Sequence, residues 1–215
     1  GHHYIWTTID LMDGFHQIPL KPEHEHITCM RTPERTMQWK VLVMGLKNAA
    51  VQFQRLMDWV LKGLSQTDQY VDDTVCGAKG ETTEDSIRQN YEQVRAILKR
   101  FEEVRMVANP KKTVFFQKEV QFCGHILREG VRRPAPGKLL PIQKWALPAT
   151  VSQLRGFLGL TNYFSVYVPH YAEVAAPIMA KLRVNREDGR KGSTVRLVWT
   201  DEEKETFRDL KSRLC

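Results

Sequence analysis

The sequence predicts an α+β chain in which strands and helices mix, followed by a small helical part, and three observations carry that prediction. β-branched and aromatic residues fill positions 4–9. Apolar residues recur at helical spacing over 53–64 and again over 87–101. Pro134, Pro136 and Gly137 interrupt the chain, and the pattern beyond them is helical.

The elements follow in order. The run at 4–9 reads as a buried strand ending at Asp10, and Pro19 and Pro22 mark loop ground after it. Residues 27–43 hold short β-prone pieces broken by Thr32-Pro33-Glu34, a strand-turn-strand excursion. Asn48 can cap a helix whose Phe53, Leu56, Met57, Val60, Leu61 and Leu64 bury one face, with Gly63 and Ser65 ending it. A second helix is predicted over 83–105, with Glu84 and Asp85 in its first turn and Ile87, Tyr91, Val94, Leu98 and Phe101 on its apolar face. Asn109-Pro110 stops it. Strands at 113–116 and 120–127 precede a turn at Gly130. Thr150 can cap a helix carrying Leu154, Phe157 and Leu158, a further helix fits 171–182, and 185–194 is a polar linker.

Composition narrows the class. With 215 residues, 42% hydrophobic, 27% charged and a mean hydropathy of −0.42, the chain is a globular protein and not a disordered or fibrous one. No apolar stretch approaches the roughly 18 residues of a membrane span. Cys29, Cys76, Cys123 and Cys215 form no Cys-x-x-Cys pair, which argues against zinc or a disulfide framework and for a reduced, intracellular setting. His24 and His26 have no third ligand nearby and read as surface residues. The start at Gly1, with no initiator Met, predicts the cut end of something longer.

The net charge of +7 is uneven. Residues 1–110 hold 13 basic and 15 acidic side chains, 111–155 hold 9 and 2, and 156–215 hold 10 and 8. The excess therefore sits in 111–155, where Phe115, Phe116, Phe122 and Trp145 are interleaved, a mixture suited to a polyanion with stackable bases. A solvated basic face is the plainer reading of charge alone.

Three aspartates carry the chemistry. Asp72-Asp73 lies between β-prone runs, where a hairpin tip would form. Two such charges ~4 Å apart repel by about 4 kcal/mol at an effective dielectric near 20, a strain that a divalent cation removes. Asp10 joins them if its strand neighbours theirs in one sheet. Three carboxylates at adjacent strand ends make a two-Mg²⁺ site of the kind polymerases and nucleases use. Ordinary turn chemistry is the alternative for a bare Asp-Asp pair.

The surrounding motifs resemble the reverse transcriptases of gypsy-type long-terminal-repeat retrotransposons. Ile9-Asp10-Leu11-Met12-Asp13-Gly14-Phe15 is similar to the family's first palm motif, Gly45-Leu46-Lys47-Asn48-Ala49-Ala50-Val51-Gln52-Phe53-Gln54 to its second, and Tyr70-Val71-Asp72-Asp73 to its metal-binding box. Asn109-Pro110-Lys111-Lys112 resembles its lysine motif and Phe122-Cys123-Gly124-His125 its primer grip. Leu154 to Tyr163 resembles the thumb, and Trp199-Thr200 onward the start of the tether and RNase H region. The resemblance implies a polymerase palm, an antiparallel sheet with packed helices, over 1–20 and 44–133. It implies a fingers insertion at 21–43, a helical thumb at 134–184, and a linker with the start of the tether at 185–215.

It also implies roles. Asp10, Asp72 and Asp73 would hold two Mg²⁺ ions, with Mn²⁺ as the alternative, and Lys112 would protonate departing pyrophosphate. Phe15, Met44 and Gly45 would lie at the incoming deoxynucleoside triphosphate. Phe122, Gly124, His125, Arg132, Arg133 and Lys138 would contact a primer on an RNA or DNA template. Core packing competes for Phe15, a solvated lysine for Lys112, and strand-to-helix packing for Met44 and Gly45. The chain departs from the family at Arg35, where a glycine is usual and a positive φ would be strained, and at Val43, Met44 and Ala50. It also implies that an N-terminal fingers segment is missing, that the RNase H site lies beyond Cys215, and that the chain belongs to a Pol polyprotein. The expected activity is RNA-directed DNA polymerisation. The rival is a decayed or domesticated element fragment that binds nucleic acid without polymerising.

Overall fold

The computed structural model describes residues 3–182 and 195–214. They form two compact units, Gly1–Arg132 and Arg133–Cys215. In the first unit, β1 (His3–Asp10), β4 (Thr67–Tyr70), β5 (Asp73–Gly80) and β6 (Val114–Gln117) make an antiparallel sheet in the order β4-β5-β1-β6. Between β1 and β4 come 3₁₀ turns at Gly14–Gln17 and Pro22–Thr28, the two-residue pair β2 (Met30–Arg31) and β3 (Thr36–Met37), and α1 (Ala49–Val60).

Strand periodicity sets the layers. Ile5, Thr7 and Ile9 of β1 are buried, and Ile9 joins Phe53 and Met57 of α1, Cys76, and Val94, Ile97 and Phe101 of α2 (Thr83–Glu103) in one core. The alternate residues Trp6, Thr8 and Asp10 take the other face. Thr82 caps α2 by accepting from the Asp85 N–H at 3.1 Å.

The buried face of α2 differs from the periodic reading. Ile87, Tyr91 and Leu98 are exposed, and Ser86, Asn90, Val94, Ile97 and Phe101 are buried. The reason is a polar network. Ser86 Oγ accepts from the Gly80 N–H at 2.9 Å, Asn90 Oδ1 accepts from the Thr7 hydroxyl, and Asn90 Nδ2 donates to the Cys76 carbonyl at 3.2 Å. Satisfied polar groups can occupy a core, and here they bind α2 to β1 and β5.

Other boundaries also differ. Asn48 precedes α1, but its side chain makes no capping bond, and α1 ends at Val60. The single strand expected over 120–127 is a hairpin of β7 (Glu119–Phe122) and β8 (His125–Arg128), which β9 (Val131–Pro134) extends to three strands. Its turn, Cys123-Gly124, has φ of 46° and 75°, the type I′ geometry that a tight hairpin needs. Arg35 takes no positive φ, so the strain feared there is absent.

In the second unit α3 (Pro136–Lys144), α4 (Val151–Tyr163), α5 (Tyr171–Ala180) and α6 (Asp201–Leu214) surround one core containing Ile142, Leu154, Phe157, Ile178, Phe207 and Leu210. α3 occupies ground read as a boundary, because Pro136 sits in the first turn, where its missing N–H is harmless. Thr150 Oγ1 accepts from the Gln153 N–H at 3.3 Å and caps α4 as anticipated. Phe207, Leu210 and Leu214 of α6, within the segment 185–215, pack into the core that α3, α4 and α5 share. Thr200 and Glu203 exchange hydrogen bonds of 2.8 and 3.3 Å at the start of α6, a capping box. The linker expected at 185–194 lies outside the described residues.

Asn90→Ala leaves the Thr7 hydroxyl proton without its acceptor in the core and removes one donor to the Cys76 carbonyl. It should destabilise the first unit by about 2–3 kcal/mol with an unchanged denaturant slope, measured by urea unfolding of the chain.

Candidate active site

The first strand and the tight hairpin of β4 and β5 bring the aspartates to one end of the sheet. β1 and β5 pair without a break from His3↔Gly80 to Asp10↔Asp73, so the ladder ends on two carboxylates directly opposite each other. Tyr70 pairs with Asp73, which leaves Val71 and Asp72 as a two-residue tip. Asp72 is half-buried there. Gly14 passes beneath it: a Cβ at Gly14 would lie 3.3 Å from Asp72 Cβ and 3.1 Å from the Phe53 ring, so the turn after Asp10 packs closely on the tip and on α1.

Lys112 reaches the same place from another loop. The Asn109 N–H donates to the Asp10 carbonyl at 2.7 Å, and Asn109 Oδ1 accepts from the Lys111 N–H at 3.1 Å. That turn sets Lys112 Nζ 3.4 Å from Asp10 Oδ1. A cleft of about 440 Å³ opens at this end, lined by Thr8, Asp10, Asp73, Thr74, Lys112 and Phe122 among others of β6 and β7.

The electrostatics are unfavourable by construction. The Asp73 carboxyl is pushed above its ordinary range by burial first, then by the charges of Asp72 and Asp10, while Lys112 opposes the rise. The Cys123 thiol is also raised, by burial and then by the Asp73 carboxylate, which puts the tip of the β7–β8 hairpin within electrostatic range of the acids. Asp10 Oδ1 is buried without a hydrogen-bond donor, and so is Thr74 Oγ1 on the cleft wall.

These features fit a hard divalent cation. Among the described residues no group of three His, Cys, Asp or Glu is gathered closely enough to chelate an ion by itself. Mg²⁺ does not require that, because it keeps several waters and binds through one or two carboxylates. Asp10 Oδ1, which accepts no hydrogen bond and has only the exposed Lys112 ammonium near it, lies on the strand end paired with Asp73, with Asp72 next in the chain, and supplies the donor chemistry.

The remaining expected residues lie at different places. Phe15 is half-buried, its ring 4.9 Å from that of Phe53, so part of it belongs to the core. Met44 is 69% exposed and lines a second cleft with His16 and Trp39. Gly45 has φ of 92° and open space where a Cβ would stand, so backbone conformation is what requires glycine there. Gly124 forms the turn between Phe122 and His125. His125 turns inward: it is buried, and its imidazole is held below its ordinary pKa by burial and then by the Arg132 charge. Arg132 is exposed in the first unit, and Arg133 and Lys138 are exposed in the second. Gln54 and Gln69, which bond the hairpin tip, received no role from the sequence, although Gln54 lies in a quoted motif.

Residues 1–127 match the protein family described as "Reverse transcriptase (RNA-dependent DNA polymerase)". The chain belongs to the reverse transcriptase family. It is 31% identical over 182 residues to the retrovirus-related Pol polyprotein from transposon gypsy of Drosophila melanogaster, covering 83% of this chain and 17% of that one. It is 29% identical over 220 residues to that of transposon opus, covering 100% and 21%. It is 32% identical over 185 residues to the enzymatic polyprotein of cauliflower mosaic virus, covering 84% and 26%. The chain thus spans about a sixth to a quarter of the length of these relatives. Among solved structures, a foamy viral protease-reverse transcriptase in complex with double-stranded DNA superposes with a TM-score of 0.82 at 23% identity, covering 100% of this chain and 36% of that one. The same protease-reverse transcriptase with an RNA/DNA hybrid gives 0.77 at 24% identity, covering 98% and 27%. Both support the α+β polymerase fold of this reverse transcriptase chain. Among the described residues no helix is long and apolar enough to cross a membrane.

Asp73→Asn removes a charge repelled by two neighbours. In chelator the variant should be more stable than the parent by about 0.5–1 kcal/mol after solvent screening, and Mg²⁺ should raise the parent's melting temperature more than the variant's. Thermal melts of both proteins with and without Mg²⁺ check this.

Proposed function

We propose that these residues form the catalytic centre of an RNA-directed DNA polymerase, which joins a deoxynucleotide to a primer 3′-hydroxyl on an RNA or DNA template. The observation that carries the reading is the register that sets Asp10 against Asp73 at a cleft shared with Lys112. Asp10, Asp72 and Asp73 would hold two Mg²⁺ ions. When bound, the ions neutralise charge on the transferring phosphoryl group and lower the pKa of the attacking hydroxyl.

The chain's own groups do the rest. The primer 3′-oxygen bonds to the α-phosphorus, the bond from that phosphorus to pyrophosphate breaks, and the hydroxyl proton passes to solvent. Lys112, a flexible and 66% exposed ammonium beside Asp10, gives a proton to the departing pyrophosphate. Phe15, half-buried and with its ring 4.9 Å from that of Phe53, faces the sugar and occupies the space of a ribose 2′-hydroxyl in this reading. The basic side chains of 111–155 and Phe122 hold the primer and template.

In a polymerase carrying these residues, Asp10→Asn or Asp72→Asn should reduce Mg²⁺-dependent primer extension by about a thousandfold or more while binding of the hybrid persists. Near-normal extension by Asp72→Asn, or binding with no extension by the parent, overturns the reading. Phe15→Ala should lower discrimination against ribonucleotides by about 10–100-fold in single-nucleotide incorporation assays. If about half of the nine basic residues in 111–155 touch phosphate, log affinity for a hybrid should fall against log salt with a slope near −4, read by fluorescence anisotropy.

A further inference from the structure

Past Asp10 the first strand keeps a neighbour outside the sheet. Leu11 forms an antiparallel bridge with Ala108, the Asn109 N–H donates to the Asp10 carbonyl at 2.7 Å, and the Met12 N–H donates to the Val107 carbonyl at 3.0 Å. The segment between α2 and β6 therefore runs as a short ladder beside the acidic strand end. The next bond of that ladder would join the Val107 N–H to the Met12 carbonyl. A side chain stands there instead.

Gln17 Oε1 accepts from the Val107 N–H at 2.7 Å, and Gln17 Nε2 donates to the Met12 carbonyl and, at 3.0 Å, to the Val107 carbonyl. Only one orientation of the amide permits this. An N–H needs its oxygen and two carbonyls need its NH₂, so a flipped amide would oppose like groups at all three places. Gln17 closes the turn Gly14–Gln17 that carries Phe15. Val107 lies two residues before Asn109, whose carbonyl accepts from the Lys112 N–H at 3.2 Å. Met106 is buried but Val107 is 55% exposed, so packing does not hold Val107 and the Gln17 amide does.

Gln17 does not line the cleft of Asp10, Asp73 and Lys112. We propose that Gln17 is a positioning residue: as a side-chain rung between Met12 and Val107, it fixes the Lys112 loop against the turn of Phe15. The groups read above as facing the sugar and the departing pyrophosphate then keep one spacing. The proposal rests on that catalytic reading. Gln17 acts through Val107 and Asn109 and touches no substrate.

The test begins with the 215-residue chain and needs neither metal nor nucleotide. Gln17→Met keeps the length of the side chain and removes all three bonds; Gln17→Glu keeps an acceptor for the Val107 N–H but sets a carboxylate against two carbonyls. Either variant should speed amide hydrogen exchange at Asn109 and Lys112 by about tenfold, the scale of one hydrogen bond, with little change in melting temperature. Zero-length carbodiimide coupling joins Asp10 and Lys112 as an amide while the reagent takes up the lost water as a urea. It should give several-fold less of that product in both variants, scored by peptide mass spectrometry. Faster exchange confined to Val107, with unchanged coupling, marks a side chain that only ties off a loop and overturns the proposal. In a polymerase carrying these residues, Gln17→Met should lower kcat by about tenfold, and should cost little further in a Lys112→Ala background, a non-additivity that general loosening of the fold would not give. Full additivity overturns the proposal. No extension by the parent overturns the catalytic reading instead, and exchange and coupling still decide whether Gln17 places Lys112.

Discussion

The pairing of β1 with β5 is the interaction on which the rest of the structure depends. Along most of its length it is ordinary burial, with Ile5 and Ile9 on one strand and Val75 and Cys76 on the other inside the first unit. At its last rung it opposes Asp10 to Asp73, and like charges directly across a ladder are destabilising. The two ends are linked by register. A slip of one residue would turn Asp10 toward the core and Ile9 out of it, so the force that buries Ile9 is the force that presents Asp10. Asn90 adds to that constraint, since its bonds to Thr7 and Cys76 are satisfied in only one register.

Tight turns let the ladder end so abruptly. Cys123-Gly124 and Glu129-Gly130 both use glycine at the second position, where left-handed backbone is free of penalty. The Asp72-Asp73 tip has a β-branched residue, Val71, at positive φ in its first position, and the side chains of Gln54 and Gln69 bond the peptide groups on either side of it. A longer, relaxed loop would have no such need, but it would also let Asp72 and Asp73 wander relative to Asp10. Rigidity at this tip is therefore part of the site's geometry.

The sequence made the strand at 4–9, the two long helices and the Asp-Asp hairpin legible, because each has a strong local period or a turn signal. What it hid depends on partners far along the chain. The buried face of α2 was misread because Ser86 and Asn90 look like surface residues until their bonds to Gly80, Thr7 and Cys76 are known. α3 was hidden by prolines that read as breakers, although Pro136 sits where a helix tolerates one. The turn at Cys123 lacks the Asn or Asp that marks a type I′ hairpin, so two strands read as one. Within the site, Asp10, Asp72, Asp73 and Lys112 were legible as a set only through motif order. Their meeting needed the strand order β5-β1, which no local pattern encodes. Gln54 had no visible purpose because the groups it bonds at the hairpin lie 15 and 17 residues away.

Lys112 shows why such a centre can be stable without being locked. Its ammonium offsets part of the repulsion around Asp10, which has a buried oxygen and no hydrogen-bond donor. A fully buried lysine would do this more strongly, but breaking that pair would leave an uncompensated charge in the interior and cost several kcal/mol. Lys112 is 66% exposed, so its pairing with Asp10 is worth about 1 kcal/mol or less, and water can take the ammonium back. A counter-charge that weak keeps two opposed carboxylates tolerable in the folded chain. It also leaves them available to a stronger cation, and leaves the lysine free to move.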